Sequence, residues 1–554
     1  MHTSPHMNVS GFEIDRPVSS PEEREVREER NVIGAREQLR EYLEAQVSAD
    51  GCVRGQCESR VLESVLTLHL LKQVGLYPEA QAQLEGYLRA QHIDERKDPL
   101  HAVLRRHALG ESTEKDAEAV RAYLARFDHF TARRKRMMFS VLMAVLGLAP
   151  FDTQLTWEEF SGGGQEKYQS WVSVTVAALR ILHAMGSGHP DWVSAEDVEK
   201  LTTTQSTNGA WEKHLLANIL ALLALRHFPQ HCLSVQNGVG LLVSVQNADG
   251  GIPFIAGLEI FCTATAGLAL VGAGAHPALL YRMADYLLGE QKSDGGWAYA
   301  EDVHQTDVDD TAYCLEFLRM LDPVRHGDAI ARAEAYLVHM QGSDGGFPTF
   351  IAGSNSEIAM TAGALNAMGP DNEQHAELIT RGIRYITAHQ KADGTFERSW
   401  SLSETNAIFR ALLALRLLSE SASELKPAVK QAEQRSLEYL RRSQNADGGW
   451  GQTAGAASDS ISTSYALIAL SHFHEPALLE RGVKYLVRQQ RGDGRFPSIP
   501  DQAGPRPIAW NVPVLSDIFA LLALDHVMAT IPVENLSARR ATARWYIATS
   551  FEAR

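Results

Sequence analysis

One short pattern restricts the fold of this 554-residue chain more than any other feature: a Gln, three residues, a Gly, one residue, and a bulky apolar side chain. It reads Gln205…Gly209-Ala210-Trp211, Gln246…Gly250-Gly251-Ile252, Gln291…Gly295-Gly296-Trp297 and Gln341…Gly345-Gly346-Phe347. It continues as Gln390…Gly394-Thr395-Phe396, Gln444…Gly448-Gly449-Trp450 and Gln490…Gly494-Arg495-Phe496, with successive copies 41 to 54 residues apart. A degenerate copy, Gln46…Gly51-Cys52, lies near the N-terminus with its spacing off by one. An amphipathic run such as Ala284-Asp285-Tyr286-Leu287-Leu288 precedes the Gln, and a turn with a second helical run follows. The Gly suits a turn that needs positive φ. The Gln, at a helix C-terminus, can bond the free carbonyls there, and the aromatic can cover the next helix. The unit is therefore helix–turn–helix, and units of this period stack to bury a shared core. No run of alternating β-branched residues bounded by turns competes with this reading. The fold class expected is all-α.

Length and charge narrow the function. A chain this long exceeds one ordinary core, so two domains are expected. A formal net charge of −16 argues against nucleic acid as a partner. Five cysteines without metal-ligand spacing suggest a reducing, cytoplasmic setting and no disulfide framework. No apolar stretch approaches the length of a transmembrane helix. Met1 to Pro17 reads as a flexible tail without a signal-peptide core. Ser20-Pro21-Glu22-Glu23 then reads as a helix start, with Ser as N-cap and Pro at the first position.

Inside the array sits Asp307-Val308-Asp309-Asp310-Thr311-Ala312-Tyr313-Cys314, just after a Gly-Gly-Trp turn and before an apolar helical run. Asp is common at helix N-termini, where it caps free N–H groups, and that is the bland explanation. Three carboxylates in so short a stretch cannot all ionise cheaply, so one should keep its proton near neutral pH. A neutral carboxylic acid at the mouth of a helical shell suits protonation of an alkene, and the placement beside a repeat turn favours that reading.

On these residues the chain resembles the class II terpene cyclases, the superfamily of squalene–hopene cyclases and copalyl diphosphate synthases. Ala35–Gln46 looks like the opening helix and first repeat of those enzymes, and Trp171–Leu179 like a helix of their other domain. The likeness runs from about Asn31 to about Ala529. It implies two α/α barrels, β and γ, with γ inserted after the first β helix and the active site between them. The division expected is 1–30 tail and helix start, 31–46 first β helix, 47–235 γ and 236–554 β. It also implies that Asp309 is the general acid and that Asp307 and Asp310 hold it and raise its proton affinity. Trp211, Trp297 and Trp450 are expected to be structural.

The stretch Ala298–Thr306 holds one aromatic, Tyr299, where squalene cyclases carry more, which leans toward a shorter substrate and a bicyclic product. The Asp-rich motif that ionises diphosphates in class I enzymes is absent, so the diphosphate should be retained. Geranylgeranyl diphosphate going to a copalyl-type diphosphate is the leading expectation, and farnesyl diphosphate going to a drimenyl-type product is the alternative. The resemblance further implies Mg²⁺ and a Glu-rich γ segment for the diphosphate, for which Glu158 and Glu159 are the candidates. Basic candidates are Arg133–Arg136, Lys167 and the segment Arg495 to Arg506. A downstream terpene-processing enzyme is the protein partner expected. In plant relatives a γ-helix His belongs to the base that quenches the cation. The matching position is near Ala177, which has no base, and His183 is close but off register. Asn355 and Thr361 are the candidates to orient Asp309. Two rivals remain: a protein prenyltransferase β-subunit, which would need zinc on Asp, Cys and His with Cys314 available, and a non-enzymatic binding toroid.

Overall fold

The computed structural model describes residues 21–530 apart from 97, 126–131, 158–167, 370–372 and 507, without the side chains of 21–31, 132 and 530. The expected tail lies outside the described residues, and α1 (Pro21–Gln46) begins at the Pro expected to start it.

A first set of helices surrounds one apolar core. It comprises α2 (Val61–Val74), α3 (Pro78–Ala90), α4 (Pro99–Ala108), α5 (Asp116–Leu124), α6 (Ala132–Val145), α7 (Ser170–Gly186), α8 (Ala195–Thr203), α9 (Leu215–Leu225) and α10 (Cys232–Ser244). The expected boundary at 235 cuts α10. Val235, Val239 and Leu242 of that helix, and Ile252 beyond it, are buried in this first core, so the γ unit continues to about Ile252. The reason is the repeat itself: the Gln246 amide donates to the carbonyl of Ala80 in α3 and so ties the end of α10 into the γ ring.

The second set is α11 (Glu259–Ala273), α12 (Pro277–Glu290), α13 (Val308–Leu321), α14 (Gly327–Met340), α15 (Ile358–Met368), α16 (Ala376–Ala388), α17 (Glu404–Leu415), α18 (Lys426–Ser443), α19 (Ser460–Leu470), α20 (Pro476–Gln489) and α21 (Val514–Thr530). The helices α11, α13, α15, α17, α19 and α21 pack in that order, and α21 returns to α11, which closes an inner ring. Their near-continuous apolar sequences follow from burial on all sides; every residue of α19 is buried. The outer layer is α12, α14, α16, α18 and α20, and α1 completes it against α20, α21 and α11. Arg36 of α1, paired with Asp525 and donating to the carbonyl of Gly272 at 2.9 Å, locks that closure.

The repeat residues make the joints. Each Gln donates its side-chain amide twice, to the carbonyl of the Gly four residues on and to a carbonyl of the next outer helix. Gln291 bonds Gly295 and Ala329, Gln341 bonds Gly345 and Leu378, and Gln444 bonds Gly448 and Leu478, all at 2.8–3.0 Å. The Gln thus reaches a neighbouring helix rather than the free carbonyls of its own. The Gly sits at positive φ against that helix; a Cβ on Gly394 would lie 2.2 Å from the carbonyl oxygen of Arg435. Trp211, Trp297 and Trp450 are fully buried and donate Nε1–H to a carbonyl ten residues back, the structural role expected. The loops after these turns gather at one end of the β barrel, against γ. One carries a short antiparallel pair, β1 (Gln502–Ala503) with β2 (Ala509–Trp510), and its Ile508 inserts into the γ core.

The last Gln tests the joint. Gln490 bonds Ala35 of α1 and Gly494, both at 2.9 Å. Gln490→Ala leaves both carbonyls without that donor and is expected to lower stability by about 1–3 kcal/mol, read as a reduced urea midpoint at unchanged slope.

Candidate active site

The acid motif grows out of the repeat frame. Asp307 is the N-cap of α13, and its carboxylate accepts from the amide of Asp310 at 2.8 Å. Four residues on, the Thr311 hydroxyl accepts from the Trp297 amide at 3.0 Å. The same frame recurs in other repeats. Asp459 caps α19 and Thr463 accepts from Trp450, while Thr361 accepts from Phe347 ahead of α15. In Asp459-Ser460-Ile461-Ser462-Thr463 and Glu357-Ile358-Ala359-Met360-Thr361 the positions of Asp309 and Asp310 are filled by Ile461 and Ser462, and by Ala359 and Met360. Asp307 and Thr311 therefore belong to the scaffold, whereas Asp309 and Asp310 are additions it does not require.

The additions differ in exposure. Asp309 keeps 14% of its side chain exposed, whereas Asp307 and Asp310 retain 2% and 4% of their surface. The middle carboxyl alone faces outward from the helix start. Burial pushes Asp307 up to about 7, against hydrogen bonds from Asp310 that lower it, and pushes Asp310 well above the ordinary carboxylate range, helped by Asp307 and Asp309. One buried oxygen of Asp310 has no hydrogen-bond partner, as suits a neutral acid.

Asp309 is held by a residue that the local sequence did not suggest. Both terminal nitrogens of Arg410, on α17, face its two oxygens, the second pair at 3.4 Å. Burial works against the Arg410 charge, but Asp309, with Tyr313 and Tyr465, offsets it and raises Arg410 overall. The guanidinium also lies 4.9 Å above the Tyr313 ring. Neither expected orienting residue does this work. Asn355 is exposed, and Thr361 donates back to the carbonyl of Glu357 as part of its own repeat. The available signal was a lone Arg in the apolar run Ala407-Ile408-Phe409-Arg410-Ala411-Leu412, since a charge there requires a buried partner.

Beyond Asp309 the two units meet through aromatic rings. Trp171 of α7 lies edge-on to Tyr299 at 6.0 Å and to Phe350 at 4.8 Å, and Phe350 is edge-on to Trp400 at 5.7 Å. The Trp171 helix that the resemblance singled out thus supplies one ring, and three β loops supply the others. Trp400 in turn carries the Arg506 guanidinium 5.0 Å from its ring.

Arg506 pairs with buried Glu357 at 2.8 Å, and its carbonyl accepts from Lys135 of α6 at 2.7 Å. Burial, with Arg506 and Arg134 beside it, pushes Lys135 down to about 7. Positive groups from both units are thus crowded where Arg506 was expected to serve. Arg495 lies apart, paired with Asp493 and exposed. Glu158, Glu159 and Lys167 lie outside the described residues. His183 is occupied: its Nε2 bonds the carbonyl of Asp152 at 2.7 Å and its Nδ1 accepts from Trp157 at 3.3 Å, so it has no free lone pair for a cation. Cys314 is buried, which pushes its thiol well up and makes it a poor zinc ligand. Among the described residues no three His, Cys, Asp or Glu side chains gather as a metal site, and no helix is long and apolar enough to cross a membrane.

Comparison with known proteins bears on the family and the fold. Residues 293–528 match the squalene-hopene cyclase C-terminal domain, and residues 103–348 match the prenyltransferase alpha-alpha toroid domain. The chain is 43% identical to a drimenyl diphosphate synthase of Streptomyces showdoensis, over 91% of this chain and 96% of the relative. It is 43% identical to one of Streptantibioticus cattleyicolor, over 90% and 95%. Its fold is similar to ent-copalyl diphosphate synthase from Streptomyces platensis, with TM-score 0.56 and 18% identity over 89% of this chain and all of that one.

The two raised aspartates make pH a probe. Their neutral form persists as pH rises until it passes about 7, where Asp307 ionises and adds a charge beside Asp309. That charge appears inside the acid cluster, so kcat is expected to fall on the alkaline side. Asp307→Asn can still cap α13 but cannot ionise, and its kcat profile from about pH 5 to 9 should lose that limb.

Proposed function

We propose that this chain, which belongs to the class II terpene cyclases, takes farnesyl diphosphate as its substrate and returns a bicyclic, drimenyl-type diphosphate. Class II cyclisation of a prenyl diphosphate is the activity of its family. The 15-carbon substrate is favoured by the 43% identity, along nearly the whole chain, to two drimenyl diphosphate synthases. The likeness to a copalyl enzyme, at 18% identity, speaks for the fold alone. The farnesyl alternative is therefore favoured over the geranylgeranyl expectation.

Asp309 is the acid in this reading, and its outward-facing carboxyl is the observation that carries the assignment. Its proton passes to the terminal alkene and leaves a tertiary cation. Two internal alkenes attack in turn, forming one C–C bond each, and the last cation loses a proton to restore an alkene. One proton enters and one leaves, so the product is an isomer of the substrate and the C–O bond to the diphosphate is untouched. An alkene is a very weak base, so the acid must be strong. Arg410, whose terminal nitrogens face both Asp309 oxygens, stabilises the carboxylate left behind. Trp171, Tyr299, Phe350 and Trp400 exclude water and present ring faces and edges to the moving charge.

The diphosphate is assigned to Arg506 and Lys135. An arriving anion would offset the burial, and the neighbouring Arg506 and Arg134 charges, that hold Lys135 low. Mg²⁺, which fits a site of one or two carboxylates completed by diphosphate oxygens, would be held by Glu158 and Glu159 and would neutralise the bound diphosphate.

Incubation with farnesyl and geranylgeranyl diphosphates, then phosphatase and mass spectrometry, tests the substrate. A bicyclic 15-carbon alcohol and a higher kcat/KM for the shorter chain are expected; preference for the longer chain overturns the substrate choice. Asp309→Asn should bind substrate and leave it linear, and cyclisation near the wild-type rate would remove the acid assignment. No stoichiometric pyrophosphate should appear in a coupled assay.

Arg506→Ala and Lys135→Ala should each raise KM more than they lower kcat, as loss of substrate binding does. Glu158→Ala with Glu159→Ala should shift the Mg²⁺ optimum; an unchanged optimum moves the metal elsewhere.

A further inference from the structure

The loop that delivers the acid, residues 298–306, is fastened by a residue of the other unit. Glu212 follows the Trp211 turn of γ. Its Oε2 accepts from the amide of His304 at 2.9 Å and of Gln305 at 3.3 Å, and its carbonyl accepts from the Tyr299 hydroxyl. Both ends of the loop are therefore tied to one γ residue. The neighbouring Lys213 reaches Glu259 at 3.6 Å and the loop's own Glu301 at 3.8 Å. Its carbonyl accepts from the amide of Ala256 at 3.1 Å.

The backbone here is costly. Glu212 and Lys213 both have positive φ, 57° and 52°, in a region that side chains other than Gly, Asn and Asp seldom occupy. The cause is a short connection: α9 begins four residues after Trp211, whereas α13 begins eleven residues after Trp297. Glycine would make the same turn without strain. A Glu there does what a Gly cannot, which is to hold two amides three and two residues ahead of Asp307.

The rest of the loop leaves little other freedom. Ala298, Ala300 and Val303 are buried together around Tyr299, Thr306 donates to Asp294 at 2.7 Å, and the Asp307 amide bonds Trp297. Near its outer edge Asp302 is also at positive φ, and His304 is exposed. The Glu212 carboxylate supplies the acceptor for the last two amides before Thr306 and so sets where the chain enters α13.

We infer that Glu212 is a positioning residue of the cyclisation: from the γ unit it fixes the acid loop, and through it the place of Asp309 against the substrate held between the units. The inference rests on Asp309 being the acid. A γ-unit residue acting through the loop gives a reason for the two units to move as one during protonation. A displacement of about 1 Å at the acid is enough to cost on the order of 10²-fold in rate.

Three substitutions test it. Glu212→Ala removes the one carboxylate oxygen that both amides use, Glu212→Gly removes it and also relieves the positive φ, and Glu212→Gln keeps an oxygen at the same reach. Alanine and glycine are expected to lower kcat by about 10²-fold with KM within about threefold, and glutamine to recover most of the loss. Glycine should match or exceed the wild-type Tm, which separates misplacement from unfolding. Hydrogen exchange followed by mass spectrometry should show faster exchange across 298–306 in the alanine and glycine variants, whatever the substrate. Wild-type kcat in Glu212→Gly, or unchanged exchange in that peptide, overturns the inference. Turnover by Asp309→Asn, measured alongside, would instead overturn the acid assignment.

Discussion

The double hydrogen bond from each repeat Gln is the interaction on which the rest of the molecule depends. A helical hairpin with one apolar face cannot bury it alone, and only a neighbour can cover it. The Gln fixes where that neighbour sits, because one amide satisfies both the turn carbonyl and a carbonyl of the next outer helix. Each bond contributes about 1 kcal/mol net, so the joints do not supply most of the stability. They supply register. With Gln291, Gln341, Gln390, Gln444 and Gln490 all set the same way, the hairpins advance by a constant step until Gln490 meets Ala35 of α1 and the ring closes.

Closure has a chemical consequence. A constant step brings the loops after the turns to one end, where the residues that cap the inner helices form a polar rim of Asp307, Glu357, Ser403 and Asp459. The rim is buried, and burial makes its carboxylates unlike ordinary ones. Asp307 and Asp459 are both raised to about 7, whereas Glu357 is lowered because Arg506, Ser399 and Thr349 outweigh its burial. A scaffold that caps its helices with acids and then buries them already holds acids near neutral pH. Asp309 adds to this a carboxyl two residues beyond the cap that turns outward and has Arg410 behind it.

Much of this was legible in the residues. The repeat period, the turn glycines and the apolar inner runs fixed an all-α repeat fold, because those are local signals with one physical solution. Asp307–Asp310 stood out because three acids in four residues carry an electrostatic cost wherever they fold. The partners did not stand out. Arg410 lies 101 residues from Asp309, and Glu212 lies 92 residues from the amide of His304. Contacts of that kind are made by the ring and by the joining of two units, so no window of sequence contains them. The boundary at 235 failed for a related reason: α10 looks like any other repeat helix, and only the bond from Gln246 to Ala80 shows which ring it closes.

Arg410 shows how far the chemistry depends on that frame. A guanidinium buried on an inner helix needs a carboxylate partner, and both its terminal nitrogens face Asp309. In the proposed reaction it stabilises the carboxylate that remains once the proton has left. Burial raises both Asp307 and Asp310, which limits the negative charge set beside that carboxylate. The carboxyl and its partner are supplied by different elements, α13 and α17, and the inner ring sets the distance between them. The register fixed by the glutamines thus reaches the chemistry: α13 and α17 lie two hairpins apart, and the bonds from Gln291, Gln341 and Gln390 hold the intervening steps.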